Sequence, residues 1–163
     1  MDPRPLGNTN LAVTPIGFGA FKIGRDMGTK YPDGYRIPDE SRSIAIVHQM
    51  LDLGLNYIDT APAYGLSEER IGKALNALSR ERQENIVVST KVGENFSIVD
   101  GQPHSVYRYD AASVRASIDE SRRRLGRDTL DLVFIHSNGD DLAILNESDA
   151  VETLAALRDA GTI

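Results

Sequence analysis

Apolar runs alternate along this chain with segments in which apolar residues recur every three or four positions. The runs Ile16 to Phe21, Asn56 to Ala61, Asn85 to Val92 and Leu130 to Ser137 are rich in β-branched and aromatic residues and read as strands. Their near-continuous apolarity suits strands covered on both faces. The intervening faces Ile44, Val47 and Leu51, then Ile71, Ala74, Leu75 and Leu78, then Val114, Ile118 and Leu125, and last Val151, Leu154 and Leu157, each predict a helix. Strand and helix thus repeat four times, which predicts an α/β fold with a parallel sheet.

Helix ends carry the expected punctuation. Ser67 is placed to cap the second helix ahead of Glu68 and Glu69, and Arg122, Arg123 and Arg124 precede Gly126, where cations favour a helix C-terminus. Gly54 and Gly161 are further stops. Ahead of the first strand, "LGNTNLAVT" reads as a short hairpin around Gly7 and Asn8 that covers one end of the sheet. Helix-to-strand connections are short, whereas the strand-to-helix connections Lys22 to Glu40, Gly93 to Tyr109 and Asn138 to Glu147 read as long loops. Parallel α/β folds bind ligands at the strand C-termini, where such loops emerge.

Composition narrows the classes. The 163 residues are 40% hydrophobic and 26% charged, which fits one globular domain over residues 1–163. A formal charge of -6 argues against a nucleic-acid footprint, which needs a basic face. No cysteine is present, so disulfides and thiolate chemistry are excluded. The N-terminus lacks a signal-peptide core and no apolar stretch reaches the ~20 residues of a membrane helix, so the expectation is a cytoplasmic protein with no membrane partner.

Three strands bring titratable groups to one rim. The two-residue side-chain period aligns Tyr57 with Asp59, Val87 and Ser89 with Lys91, and Leu132 and Phe134 with His136. Tyr64 follows its strand through the tight loop Ala61-Pro62-Ala63. A phenol, with a pKa of about 10, is a poor proton donor to a carbonyl oxygen unless its anion is stabilised. The Lys91 ammonium can do this, Asp59 can keep Lys91 charged and oriented, and His136 can hydrogen-bond the carbonyl.

In "GLNYIDTAPAYGLSEERIGKAL", "VVSTKVG" and "LDLVFIHSN", the residues Asp59, Tyr64, Lys91 and His136 resemble the catalytic tetrad of the aldo-keto reductase superfamily. The resemblance extends from "LGNTNLAVTPIGFGAF" to the last residue. It implies a TIM (β/α)8 barrel, of which this chain supplies the hairpin and first four βα units, a half barrel. It also implies NADPH, with NADH possible, and hydride transfer between nicotinamide and a small-molecule carbonyl or alcohol. Tyr64 would be the general acid and base, Lys91 and Asp59 would tune it, and His136 would orient substrate. Gly19, Ala20 and Phe21, with Asp59, match positions near the cofactor. Such a barrel typically takes about 250 residues. The expectation is therefore completion by a missing half barrel or by self-association, with a non-catalytic nucleotide-sensing or interaction subunit, or an inactive truncated half barrel, as the alternative.

Other features have plainer readings. His48 on a helix and His104 in a loop are assigned to structure, and no metal site is expected. "GFG" lacks the third glycine of a dinucleotide fingerprint, since position 22 is Lys22. Lys22, Arg25, Lys30 and Arg36, interleaved with Tyr31 and Tyr35, read as a solvated cationic loop. Phe96, Tyr107 and Tyr109 either wall a pocket or anchor their loop. Asn138, Gly139, Asp140 and Asp141 read as a turn.

Overall fold

The structure is a computed structural model that describes residues 1–29 and 34–163; Lys30 and Tyr31 lie outside the described residues. Strands β1 (Arg4–Pro5) and β2 (Ala12–Val13) pair antiparallel as the anticipated hairpin. Asn56 fastens it beneath the sheet, its Nδ2 donating to the carbonyls of Ala12 at 2.8 Å and Asn85 at 3.0 Å, while its Oδ1 accepts from the Thr14 amide at 2.8 Å. These bonds satisfy backbone groups at the strands' entry end.

The main sheet is four-stranded and parallel, in the order β3 (Phe18–Gly19), β4 (Tyr57–Asp59), β5 (Val87–Val92) and β8 (Leu132–Ile135). Gly19 pairs with Asp59, Asp59 with Ser89, and Lys91 with Phe134. The helices on the connections are α1 (Glu40–Asp52), α2 (Ser67–Asn76), the single turn α3 (Arg80–Gln83), α4 (Ala111–Leu125), α5 (Asp141–Glu147) and α6 (Ala150–Asp159). One sheet face, through Ile58, Val88 and Val92, packs on Val47, Ile71, Leu75, Val114, Ile118 and Leu157 of these helices to form the core. Burying side chains of this size stabilises by about 1.5–3 kcal/mol each before entropy is counted. No helix of the described residues is long and apolar enough to cross a membrane.

Several elements differ from the sequence expectation. The first strand spans Phe18–Gly19 rather than Ile16 to Phe21, because the chain turns into a 3-10 helix at Ala20–Ile23 and the Ala20 carbonyl accepts from the Ser67 hydroxyl instead of a neighbouring strand. The other three strands are also shorter than anticipated, although Thr60 N–H to the Ser89 carbonyl and His136 N–H to the Val92 carbonyl carry the ladder to the rim. Ser67 is not the cap of α2. Leu66 holds that position, and the Ser67 hydroxyl is occupied by Ala20 and Thr60.

The supposed loop Gly93 to Tyr109 is mostly an antiparallel hairpin, β6 (Glu94–Val99) and β7 (Gln102–Tyr107), which places His104 on a strand. It turns at Asp100 and Gly101, with φ of 50° and 76°, as a two-residue hairpin connection of primed type requires. The loop after β8 contains α5, capped by the Asp140 carboxylate, which accepts from the Ala143 amide.

Candidate active site

The second sheet face carries the polar series. Gly17, against which the Tyr57 ring lies, and Gly19, with open space above it, form its edge, and beside them stand Tyr57 and Asp59, then Ser89 and Lys91, then Leu132 and Phe134, with His136 just past β8. The period-two reading of these positions therefore holds. Lys91 Nζ is held as a tripod, donating to Asp59 Oδ1 at 2.8 Å, Asp59 Oδ2 at 2.9 Å and the Thr60 carbonyl at 2.8 Å. Ser89 Oγ donates to Asp59 Oδ1 at 2.8 Å and lies 2.9 Å from the Tyr57 hydroxyl. Since a serine has one hydrogen, Tyr57 is the donor in that second bond. The Asp59 carboxylate is thus fixed by two residues of the neighbouring strand β5, and it fixes Lys91 in turn.

Tyr64 reaches this rim through the 3-10 turn Pro62–Tyr64. Gly65 follows at φ 62°, and a side chain there would meet the Gly24 carbonyl at 2.4 Å. The Leu66 amide donates to that same carbonyl at 3.1 Å, docking the turn on the loop after β3. Lys91 Nζ lies 4.8 Å from the Tyr64 ring centroid, within cation–π range. Phe21 meets Tyr64 edge to face at 5.0 Å and His136 does so at 6.1 Å. The structure therefore brings Asp59, Tyr64, Lys91 and His136 into one cluster.

A cleft of about 570 Å³ opens beside that cluster, lined by Phe21, Arg25, Tyr64, Glu94, Tyr107 and His136, together with Thr29, Ser105 and Ser137. Burial lowers the His136 pKa below the usual imidazole value; Glu94 and Asp59 oppose that shift, and Lys91 and Arg25 reinforce it. Tyr107 and Tyr109 are raised above the ordinary phenol range, again chiefly by burial. Tyr109 anchors the loop, donating to the His136 carbonyl at 2.8 Å, whereas Tyr107 walls the cleft. Phe96 lies under the Arg25 guanidinium, 3.7 Å from its ring centroid.

Gly19 is next to Asp59 in register with nothing within 4 Å of where a side chain would stand, and Phe21 faces the cleft; Ala20 is wholly buried. Among the described residues no three metal-ligating side chains converge. Arg25 departs from the solvated-loop expectation, being buried and paired with Glu94 at 3.3 Å. Lys22 of the same loop lies over the Tyr35 ring.

A profile of the aldo/keto reductase family matches residues 15–163. The chain belongs to the aldo/keto reductase family. L-galactose dehydrogenase from Arabidopsis thaliana is 38% identical over 135 residues, covering 82% of this chain and 37% of that protein. D-threo-aldose 1-dehydrogenase from a Pseudomonas species is 30% identical over 167 residues, covering 90% of this chain and 47% of its own. A solved aldo-keto reductase structure from Pseudomonas aeruginosa matches with a TM-score of 0.82 and 47% identity, over 99% of this chain and 57% of that one. The α/β fold is thus that of aldo-keto reductases, and the chain spans about half the length of the relatives it matches.

Sequence reasoning gave no role to Ser89, Tyr57, Arg25 or Glu94. Ser89 and Tyr57 were within reach, since the same strand period that aligned Asp59 and Lys91 places them below. Arg25 and Glu94 meet only through the tertiary fold, 69 positions apart.

Proposed function

We propose that this chain carries the catalytic machinery of an NAD(P)H-dependent oxidoreductase that interconverts carbonyls and alcohols, NADPH being the expected cofactor, and that its four βα units form the first half of a (β/α)8 barrel. The observation that carries this reading is the Lys91 ammonium, locked by Asp59 and the Thr60 carbonyl against the Tyr64 ring, with the His136 ring perpendicular to that of Tyr64 at 6.1 Å. Phe134 on the inward face is 48% exposed, in keeping with a face that a second half barrel covers.

The nicotinamide, when bound, supplies or accepts the hydride. Gly19, Phe21 and Asp59 are the residues that would hold its ring at the rim. In reduction Tyr64 gives its hydroxyl proton to the carbonyl oxygen, leaving a phenolate that faces Lys91. In oxidation Tyr64 takes the proton back from the alcohol. Asp59 holds the Lys91 ammonium in place, and His136 holds the substrate oxygen. The polar side chains Arg25, Glu94 and His136 among the aromatic walls of the cleft suit a small polyhydroxylated carbonyl, in line with the aldose named for one relative and the galactose named for another.

The test is nicotinamide absorbance with a panel of aldoses and simple carbonyls in both directions, comparing the protein with Tyr64→Phe. Turnover is expected to fall by about 10²–10⁴-fold in the variant, the usual worth of a positioned acid–base group. Turnover unchanged in Tyr64→Phe overturns the assignment.

A further inference from the structure

Glu94 sits where three connections meet, and the reaction outlined above makes no use of it. It opens β6 and is almost fully buried. Its Oε1 accepts from the Ser105 hydroxyl of β7 at 2.6 Å and lies 3.3 Å from Arg25 Nη1. Its Oε2 lies 3.3 Å from His136 Nδ1. Arg25 is committed elsewhere as well, donating to the carbonyls of Ala63 at 3.0 Å, Met27 at 2.9 Å and Gly28 at 3.3 Å. A buried carboxylate is costly unless each oxygen is compensated. Arg25 and Ser105 serve one oxygen and the Tyr107 hydroxyl also bonds the carboxylate, while the second oxygen faces His136 Nδ1.

His136 Nδ1 is buried and lacks an aligned hydrogen bond, although the carboxylate oxygen is close by. An ionised carboxylate can only accept, so the ring nitrogen facing it is stabilised when it carries the proton. Nε2 is then the nitrogen left for the cleft that His136 lines.

We propose that Glu94 is the positioning residue of His136, holding the ring proton on Nδ1 so that neutral His136 presents Nε2 to the cleft as a hydrogen-bond acceptor. A ring in that state receives the O–H of an alcohol. Once protonated, it donates Nε2–H to a carbonyl oxygen. The geometry therefore sets His136 to hold alcohol above its titration and carbonyl below it. Facing His136 are Glu94 from β6, Lys91 from β5, Asp59 from β4, Arg25 from the loop after β3, Tyr64 from its 3-10 turn, and Tyr109, which bonds the His136 carbonyl. Of these, only Glu94 contacts a ring nitrogen. The consequence for substrate rests on the reading of His136 under Proposed function; the tautomer does not.

Imidazole nitrogen NMR on the full chain tests this without turnover, with His136→Gln assigning the signal against His48 and His104. The expected result is a majority Nδ1–H tautomer in the neutral ring. Glu94→Gln, whose amide can donate to Nδ1, is expected to switch the majority to Nε2–H and to lower the titration midpoint. Glu94→Asp keeps the charge and is expected to retain the Nδ1–H form. A majority Nε2–H tautomer in the unsubstituted protein overturns the proposal even if Glu94→Gln fails to fold, as does a Glu94→Gln variant with unchanged tautomer and midpoint. If the NMR result holds while Tyr64→Phe leaves turnover intact, the positioning stands and the reaction assignment falls.

Discussion

The two faces of the four-stranded sheet are made from the same strands by opposite means. Ile58, Val88 and Val92 point into a core closed by helices of the same chain, where shape and apolar area do the holding. On the other face Tyr57, Ser89, Asp59 and Lys91 are joined by directed hydrogen bonds and an ion pair, with Phe134 half exposed beyond them. Alternation along a strand is therefore also a division of labour: stability resides on one set of positions and the proposed chemistry on the set between.

That division can be broken from either side. Lys91→Met is expected to reduce turnover by about 10²–10⁴-fold, since it removes the cation at Tyr64, while the protein stays folded in circular dichroism. Ile58→Ala should do the reverse, lowering the urea-derived stability by about 2–5 kcal/mol with the geometry at Asp59 retained in the folded fraction. If Ile58→Ala proves as harmful to turnover per folded molecule as Lys91→Met, the faces are not separable.

Gly17→Ala sharpens the comparison at the sheet edge. A side-chain carbon there would stand 2.5 Å from Tyr57 Cδ1, so the ring must shift and loosen its bond to Ser89; a loss of about 1–3 kcal/mol is expected in denaturation, with a weaker effect on activity than Lys91→Met. The smallest effect concerns pH. Burial depresses His136, so the unfolded chain binds its proton more readily than the folded one. Its contribution to stability is full above the ordinary imidazole value of about 6.5 and is lost as pH falls below it. His136→Gln should flatten that part of a stability-against-pH curve, and an unaltered slope would remove His136 as its source.

Much of this was legible in the chain. Period-two alternation placed Asp59, Lys91 and His136 on one face, and Arg122 to Arg124 before Gly126 marked the end of α4, where Gly126 adopts the left-handed conformation. The hairpin β6–β7 was equally written, since Asp100-Gly101 is the dipeptide a two-residue turn requires, but its flanks, with Pro103 and several polar residues, do not alternate cleanly. Ser67 was legible only as a capping residue. What decides its actual use is the Gly24 carbonyl drawing in the Leu66 amide, a contact between distant loops that local preference cannot register. The Arg25–Glu94 pair was hidden for the same reason, and composition made Arg25 look like one solvated cation among several.

The hairpin has one more consequence, in the order of assembly. It pairs only near neighbours, Val99 with Gln102 at the turn and Glu94 with Tyr107 at its widest, whereas Phe18 must find Ile58 and Ser89 must find Leu132. Closing a short segment forfeits less chain entropy than closing a long one, and hairpins form on the order of microseconds. The wall of the cleft can therefore take shape ahead of the strands it stands on, so that Glu94 arrives on a preformed ribbon when Arg25 and His136 are brought to it.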